Sequence, residues 1–196
     1  MIAIIDYGAG NLASVVKAVR HLGQECTVTG HADDVQRADK VIIPGVGNFK
    51  ATRPLANGPL AVQLQHVLQA HRPLLGICLG LQWMFEGSDE ACEVKGLGAI
   101  AGKCTRFPEH VKSPHVGWNS IDVEPHSGLL RGIPSGTFVY FTHSYRAPIC
   151  NETVATCRYE SLFTAAVERK NLFAVQFHPE KSGDAGLAIL ENFCGL

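Results

Sequence analysis

One of the seven cysteines lies in a sequence context that favours chemistry. Cys78 has glycine two residues before it and two residues after it, at Gly76 and Gly80, and it follows the apolar run 73–77. This G-x-nucleophile-x-G spacing is typical of a nucleophile elbow, where larger flanking side chains would collide. The turn would place the thiol above the carboxyl edge of a sheet, near a helix N-terminus that favours thiolate over thiol. The pattern predicts a cysteine nucleophile; the alternative is a structural cysteine buried in an ordinary strand-to-helix turn.

A thiol nucleophile needs a base, and one of the nine histidines has a carboxylate close behind it. His178 and Glu180 flank Pro179 at the end of a β-rich run. Residues i and i+2 of an extended chain point the same way, and proline biases the residue before it toward extended backbone. We therefore expect Glu180 to hold the His178 imidazole in one tautomer. His143 is the rival base, without a carboxylate within two residues, and a surface His and Glu at a strand end is the alternative for the pair.

Acyl transfer through a thioester also requires donors for a tetrahedral oxyanion. The amide of Leu79, directly after the nucleophile, is a natural first donor. The segment 44–47, Pro-Gly-Val-Gly, follows the preceding core strand, and right-handed connections would bring it beside the elbow. Its glycines permit a backbone flip that would aim an amide at the reacting carbon. Taken alone, the segment is an ordinary turn.

The first half of the chain alternates apolar strand-like runs with helical segments. Strands are predicted over 1–6, 26–29, 40–43 and 73–77, and helices over 12–22 and 59–70 and from just past 78. Asn11 is a candidate N-cap for the first helix. Continuous apolar strands separated by helices indicate a parallel sheet that is covered on both faces.

The second half contains short β-rich segments with brief connections. Strands are predicted over 138–141, 154–159, 164–168 and 172–177, with a closing helix over 185–193. Brief connections favour hairpins. We therefore expect one α/β domain over residues 1–196, with a central, mostly parallel sheet flanked by helices and antiparallel strands toward the C-terminus.

The composition excludes several classes of protein. The 196 residues carry a formal charge of −1, which gives no electrostatic reason to expect binding to nucleic acid or an acidic membrane. No apolar run approaches the roughly 20 residues that span a bilayer, and the start lacks the basic region of a signal peptide. Seven cysteines without a CxxC pair form neither a disulfide framework nor a zinc motif. We expect free thiols in a reducing cytoplasm, and neither a metal nor a cofactor.

Taken together, the motifs resemble those of the class I, triad-type glutamine amidotransferases. Residues 76–82 and 176–180 carry the triad pattern. The resemblance is closest to the branch of this family that serves histidine biosynthesis, because of segments 44–47, 114–119 and 140–145 and the extension Lys181-Ser182. The resemblance extends over essentially the whole chain. The chain departs from that branch at three positions. Met is common in the branch where this chain has Leu81 and Val116, and Val is common where it has Thr142. These changes mostly conserve side-chain volume, and none affects the triad.

The resemblance implies a role for each matching position. Cys78 would attack the side-chain amide of L-glutamine, His178 would carry the proton to the departing ammonia, and Glu180 would orient the histidine. The implied oxyanion hole comprises Val46, Gly47 and Leu79, with Val46 as a switch that turns only when the partner is active. The implied contacts to the α-amino and carboxylate groups of glutamine are Gln82, His143, Ser144 and Tyr145. The implied partner interface includes Asn11, Trp118 and Lys181.

The implied partner is a HisF-type cyclase, a (β/α)₈ barrel that would form a heterodimer with this chain. It would receive unhydrated ammonia and make imidazole glycerol phosphate and AICAR. Three alternatives remain open: a glutaminase for another pathway such as pyridoxal phosphate or aminobenzoate synthesis, a catalytically silent partner-binding homologue, and a thiol hydrolase without a partner. The segment 114–119 argues against the first, and the intact triad argues against the second.

Overall fold

The computed structural model describes residues 1–196, which form twelve strands and six helices. The strands are β1 (Ile2–Ile5), β2 (Cys26–Thr29), β3 (Lys40–Ile43), β4 (Leu74–Ile77), β5 (Gly87–Ser88), β6 (Lys103–Arg106), β7 (His115–Val123), β8 (Thr137–His143), β9 (Tyr145–Arg146), β10 (Thr153–Tyr159), β11 (Ser161–Arg169) and β12 (Leu172–Val175). The helices are α1 (Leu12–His21), α2 (Ala32–Arg37), α3 (Arg53–Ala56), α4 (Gly58–Gln69), α5 (Leu79–Met84) and α6 (Gly183–Gly195), with 3₁₀ turns at Phe49–Thr52 and Pro179–Lys181.

Nine strands form the central sheet in the order β2-β1-β3-β4-β12-β11-β10-β7-β8. The pairings from β2 through β12 are parallel, and those from β12 through β8 are antiparallel. A small second sheet has the order β5-β6-β9. The predicted helix-flanked sheet with antiparallel C-terminal strands is confirmed. Because β12 lies directly beside β4, the chain that follows each of these two strands emerges at the same sheet edge.

Helices cover both faces of the sheet because successive side chains of a buried strand point to opposite sides. In β1, Ile2 and Ile4 belong to one hydrophobic core, whereas Ala3 and Ile5 belong to the other. Helices α1 and α6 pack in the first core, and α4 and α5 pack in the second. The sheet is thus packed on both faces, one core on each side.

Most predicted elements of the first half appear at their predicted positions, and β2 and β3 match them residue for residue. The sequence pattern missed α2, α3, β5, β6, β7 and β9. Asn11 occupies the predicted N-cap position of α1, but its side chain makes no capping hydrogen bond. No helix combines the length and the hydropathy that a membrane crossing requires.

Candidate active site

The elbow at Cys78 is a strained turn between β4 and α5. Cys78 has φ +53° and ψ −101°, a conformation that costs energy in a residue with a side chain. Its amide donates to the Val175 carbonyl at 2.8 Å, which ties the turn to β12. A Cβ at Gly76 would lie 2.7 Å from the backbone carbonyl of Gly80, and a Cβ at Gly80 would overlap the carbonyl oxygen of Ile43. Both flanking glycines are therefore required by close backbone contacts, as the sequence pattern predicts.

Gly80→Ala is expected to lower the free energy of unfolding by about 3 kcal/mol, because neither the elbow nor the Ile43 carbonyl has room to move. Urea unfolding measures the change. Gly195→Ala, at the end of α6 where nothing lies within 4 Å of the added Cβ, is the matched control and should be neutral or stabilising. Equal effects of the two substitutions would contradict the packing argument.

His178 and Glu180 form a buried pair beside the elbow. Val175 of β12 pairs with Ile77 of β4, so the residues after both strands lie together. His178 Nδ1 and Glu180 Oε1 are 2.7 Å apart, and both side chains are only 1 % exposed. The expectation that Glu180 orients the imidazole thus agrees with the observed geometry. The opposite ring nitrogen, Nε2, is buried and has no hydrogen-bond partner in the chain.

The charge state of His178 follows from its neighbours. Burial opposes a positive ring, but the negative charge of a Cys78 thiolate and the hydrogen bond to Glu180 outweigh it and raise the pKa of His178 to about 10. The imidazolium is therefore stable next to a thiolate. This arrangement favours a base that takes the proton of Cys78 and keeps it for a leaving group.

The predicted oxyanion donors do not converge in this structure. The Leu79 amide donates to the Gly45 carbonyl at 3.3 Å. Because the carbonyl and the amide of one trans peptide point in opposite directions, the Val46 N–H of the same peptide points away from Leu79. Gly45 is packed against the Tyr7 hydroxyl and the Leu79 side chain too closely for any Cβ, and Gly47 has φ +104°. A half-turn of the Gly45–Val46 peptide would free the Leu79 amide and bring the Val46 amide beside it.

A cavity of about 160 Å³ opens next to Cys78. It brings together the predicted substrate residues Gln82, His143, Ser144 and Tyr145 with Cys78, Leu79 and Gly47. The remaining lining residues, which the sequence patterns did not single out for this role, are Glu90, Pro114 and Thr142. Val46 does not line the cavity; its side chain is exposed. Glu90 supplies a carboxylate in a position that no motif marks, since it lies in a turn after β5.

His143 does not act as a free base in this structure, because both of its ring nitrogens are engaged. Nδ1 lies 2.9 Å from the Tyr145 carbonyl, which can only accept, so Nδ1 carries the proton. Nε2 then accepts from His115 Nδ1 at 3.2 Å, and His115 Nε2 accepts from the Asn119 side-chain amide at 3.4 Å. Burial lowers the pKa of His143 to about 3 and that of His115 to about 4. Both rings are neutral donors and acceptors that hold the cavity wall.

The neutral histidine pair predicts acid sensitivity. The folded pKa values lie below the ordinary value of 6.5, so the unfolded chain takes up protons that the folded protein does not. The free energy of unfolding should therefore fall as the pH drops from 6.5 toward 4, by about 1.4 kcal/mol per pH unit for each proton taken up. Urea unfolding at several pH values should give a shallower slope for His143→Gln than for the wild type. Exposed His126→Gln is the control, and a slope that His143→Gln leaves unchanged would contradict the assignment.

Of the predicted interface residues, Trp118 belongs to an exposed apolar patch on β7 and β8, and Lys181 lies beside it. Val116 and Trp118 on β7 and Phe138 on β8 are each more than half exposed. Trp118 pairs with Tyr140 across the two strands, and the Lys181 ammonium lies over the Tyr140 ring, 5.8 Å from its centroid. We call Val116, Trp118, Phe138 and Tyr140 the β7–β8 patch. Asn11 is half-buried at the start of α1, which neighbours the Pro179–Lys181 turn.

Comparison with known proteins identifies the family of this chain. Residues 3–195 match the family model described as glutamine amidotransferase class-I. The chain is 43% identical over 198 residues to "Imidazole glycerol phosphate synthase subunit HisH" of Bacillus cereus (strain ATCC 10987 / NRS 248), covering 100% of this chain and 95% of that protein.

Solved structures share the fold at low identity. A structure titled "Crystal structure of glutamine amidotransferase" superposes with a TM-score of 0.77 at 17% identity, and the match covers 100% of both chains. PurLQS from Thermotoga maritima has a TM-score of 0.72 at 17% identity, covering 99% of this chain and 97% of that one.

Proposed function

Since the chain belongs to the class-I glutamine amidotransferase family, we propose that it is the glutaminase subunit of an imidazole glycerol phosphate synthase. It hydrolyses L-glutamine to glutamate and ammonia through a thioester on Cys78. The observation that carries the proposal is the strained elbow of Cys78 beside the buried His178–Glu180 pair, in a chain 43% identical to a protein named HisH.

The reaction begins with transfer of the Cys78 proton to His178 Nε2, the ring nitrogen that has no other partner. The thiolate attacks the side-chain carbonyl carbon of glutamine and forms a tetrahedral oxyanion. His178 then gives its proton to the amide nitrogen, and the C–N bond breaks to release ammonia. Water, deprotonated by His178, attacks the thioester; glutamate leaves and the thiol is restored. Glu180 stabilises the imidazolium in both halves of the reaction.

Recognition of glutamine falls to the cavity next to Cys78. The Glu90 carboxylate is a counter-charge for the α-ammonium group. Gln82 donates its Nε2 to the Tyr145 carbonyl at 2.9 Å, which leaves its Oε1 to accept from the same ammonium. Ser144 and His143 complete the wall against which the amino-acid end of the substrate rests.

The conformation of Gly45 supports control by a partner. While the Gly45 carbonyl accepts from the Leu79 amide, neither Leu79 nor Val46 presents an N–H to an oxyanion. A turn of this peptide would convert the resting site into an oxyanion hole formed by Val46 and Leu79, with Gly47 adjacent. We infer that docking of the partner favours the turned state, so that glutamine is hydrolysed only when an ammonia acceptor is present.

The partner that we propose is a HisF-type (β/α)₈ cyclase, bound in a heterodimer. Support comes from the β7–β8 patch, whose exposed apolar side chains are typical of a protein interface, and from Lys181, which lies over the Tyr140 ring of the patch. Asn11, the third residue that we place at the interface, precedes α1, a helix in contact with the Pro179–Lys181 turn. The cyclase would combine ammonia with its nucleotide-sugar ligand, a lyase-type step that yields imidazole glycerol phosphate and AICAR. Residues 1–196 act as one glutamine amidotransferase domain, and seven free cysteines fit a cytoplasmic location.

Mixing this chain with different acceptor subunits tests the assignment. Glutamine-dependent product formation is expected with a HisF-type cyclase and not with the acceptor subunits of pyridoxal phosphate or aminobenzoate synthesis. Activity with one of those acceptors instead would place the chain in another pathway. Binding to the cyclase without glutamate release would support the silent homologue.

A further inference from the structure

A fully buried amide side chain, that of Gln176, contacts both the Cys78 sulfur and Gln82, a residue of the glutamine cavity. Gln176 is 0 % exposed and occupies the turn after β12, two residues before His178. Its backbone N–H donates to the Ala165 carbonyl at 2.8 Å. The mechanism above gives it no role, although a polar side chain buried this deeply must find partners.

The orientation of the Gln176 amide is fixed by its neighbours. Gln82 Nε2 lies 3.4 Å from Gln176 Oε1, and Gln82 is itself anchored by the Tyr145 carbonyl. Since Oε1 accepts there, the Gln176 amide group presents its N–H donors on the other side. Its Nε2 lies 3.7 Å from the Cys78 sulfur.

The other hydrogen-bond contact of the sulfur serves only the protonated thiol. Cys78 Sγ lies 3.8 Å from the Thr142 carbonyl oxygen, which can only accept a hydrogen bond. A thiol can donate to this oxygen, whereas a thiolate has no proton to donate and is repelled by it. Ionisation therefore loses one hydrogen bond and strengthens the bond from Gln176, because hydrogen bonds to charged groups are stronger than neutral ones. His178, once protonated, is the second group that favours the anion.

We propose that Gln176 is a further catalytic residue, whose side-chain N–H donates to the Cys78 thiolate and stabilises it as nucleophile and as leaving group. The proposal deepens the glutaminase function and rests on it. No bond to Gln176 forms or breaks; its amide stays neutral while the proton moves between Cys78 and His178. The contact to Gln82 also links the thiolate donor to a side chain of the glutamine cavity.

Alkylation of Cys78 by iodoacetamide as a function of pH tests the proposal in the whole chain, with mass spectrometry following the Cys78 peptide. Gln176→Met removes the donor and keeps a similar volume. We expect the pH midpoint of alkylation to rise by about one unit. At pH values below the midpoint, the variant should therefore be alkylated about tenfold more slowly than the wild type. The plateau rate at high pH should stay within about twofold of the wild-type rate, since the thiolate itself is unchanged.

Two further variants keep the test decisive. Gln176→Glu retains an acceptor for Gln82 and places a negative charge near the sulfur, so it should raise the midpoint more than Gln176→Met does. If the methionine variant fails to fold, the glutamate variant still tests the proposal. Gln63→Met, in a buried glutamine of α4, is the control and should leave the midpoint unchanged. A wild-type midpoint in both Gln176 variants, or a lowered plateau at an unchanged midpoint, would overturn the proposal.

The outcome separates this inference from the proposed function. If the wild-type chain with its cyclase releases glutamate but the Gln176 variants alkylate at the wild-type midpoint, only the role of Gln176 fails. If no glutamate is released with any acceptor, the glutaminase function fails whatever the alkylation shows.

Discussion

Cys78→Ala abolishes glutamine-dependent synthesis by the assembled enzyme and leaves ammonia-dependent synthesis by the cyclase intact. The alanine variant has no atom that can form the thioester, whereas the cyclase accepts ammonia from solution. Removing the nucleophile of a hydrolytic triad lowers turnover by about 10⁴-fold or more. Two assays of the same complex, one with glutamine and one with an ammonium salt, measure the glutamine-dependent and the ammonia-dependent activity.

Controls decide whether the effect belongs to this thiol. Cys92→Ala removes an exposed cysteine outside the cavity and should leave both activities unchanged. Alanine also has a Cβ, so the strain at φ +53° is the same in the variant, and urea unfolding should show that Cys78→Ala is folded without being stabilised. Glutamine hydrolysis by Cys78→Ala at the wild-type rate would show that another group is the nucleophile.

Docking of the cyclase, with its nucleotide-sugar ligand bound, raises glutaminase activity by about 10² to 10³-fold over the isolated chain. One missing donor in an oxyanion hole lowers turnover by about 10² to 10³-fold, and the isolated chain lacks both, so this factor is the least activation that we expect. In the isolated chain the Leu79 amide is held by the Gly45 carbonyl and the Val46 amide points away. Steady-state release of glutamate, with and without the partner, measures the activation.

Substitution of the β7–β8 patch supplies the control for this prediction. Trp118→Asp should weaken docking and raise the cyclase concentration needed for half-activation, because it places a charge on an apolar interface. The activity of the isolated chain should not change, since Trp118 lies outside the cavity. Equal glutaminase activity with and without cyclase would contradict partner control by the Gly45 peptide.

Local sequence patterns were sufficient where backbone geometry and short-range contacts decide the structure. The elbow was predictable because Gly76 and Gly80 have no room for a Cβ. The His178–Glu180 contact was predicted from an extended chain, but it forms across the 3₁₀ turn Pro179–Lys181 that follows β12. The short strands β2, Cys-Thr-Val-Thr, and β3, Lys-Val-Ile-Ile, were predictable because β-branched residues make up three of the four positions in each.

Features that depend on tertiary contacts were not predictable in this way. Strand β7 carries polar and glycine residues through its middle, so its sequence lacks a two-residue hydrophobic pattern, and α2 is only six residues long. Glu90 reaches the cavity from a turn, and Gln176 contacts the sulfur only because β12 lies beside β4. The orientation of the Gly45 peptide depends on a hydrogen bond to Leu79, which no local pattern encodes.

Acid quenching of the active complex during glutamine turnover, followed by mass spectrometry of all seven cysteine peptides, tests the central claim most directly. A γ-glutamyl adduct is expected on Cys78 alone, and it should be absent when Cys78→Ala replaces the wild-type chain. Release of glutamate with the adduct on another cysteine would contradict the account. Release of glutamate without any adduct, under conditions that slow hydrolysis of the thioester, would contradict it too.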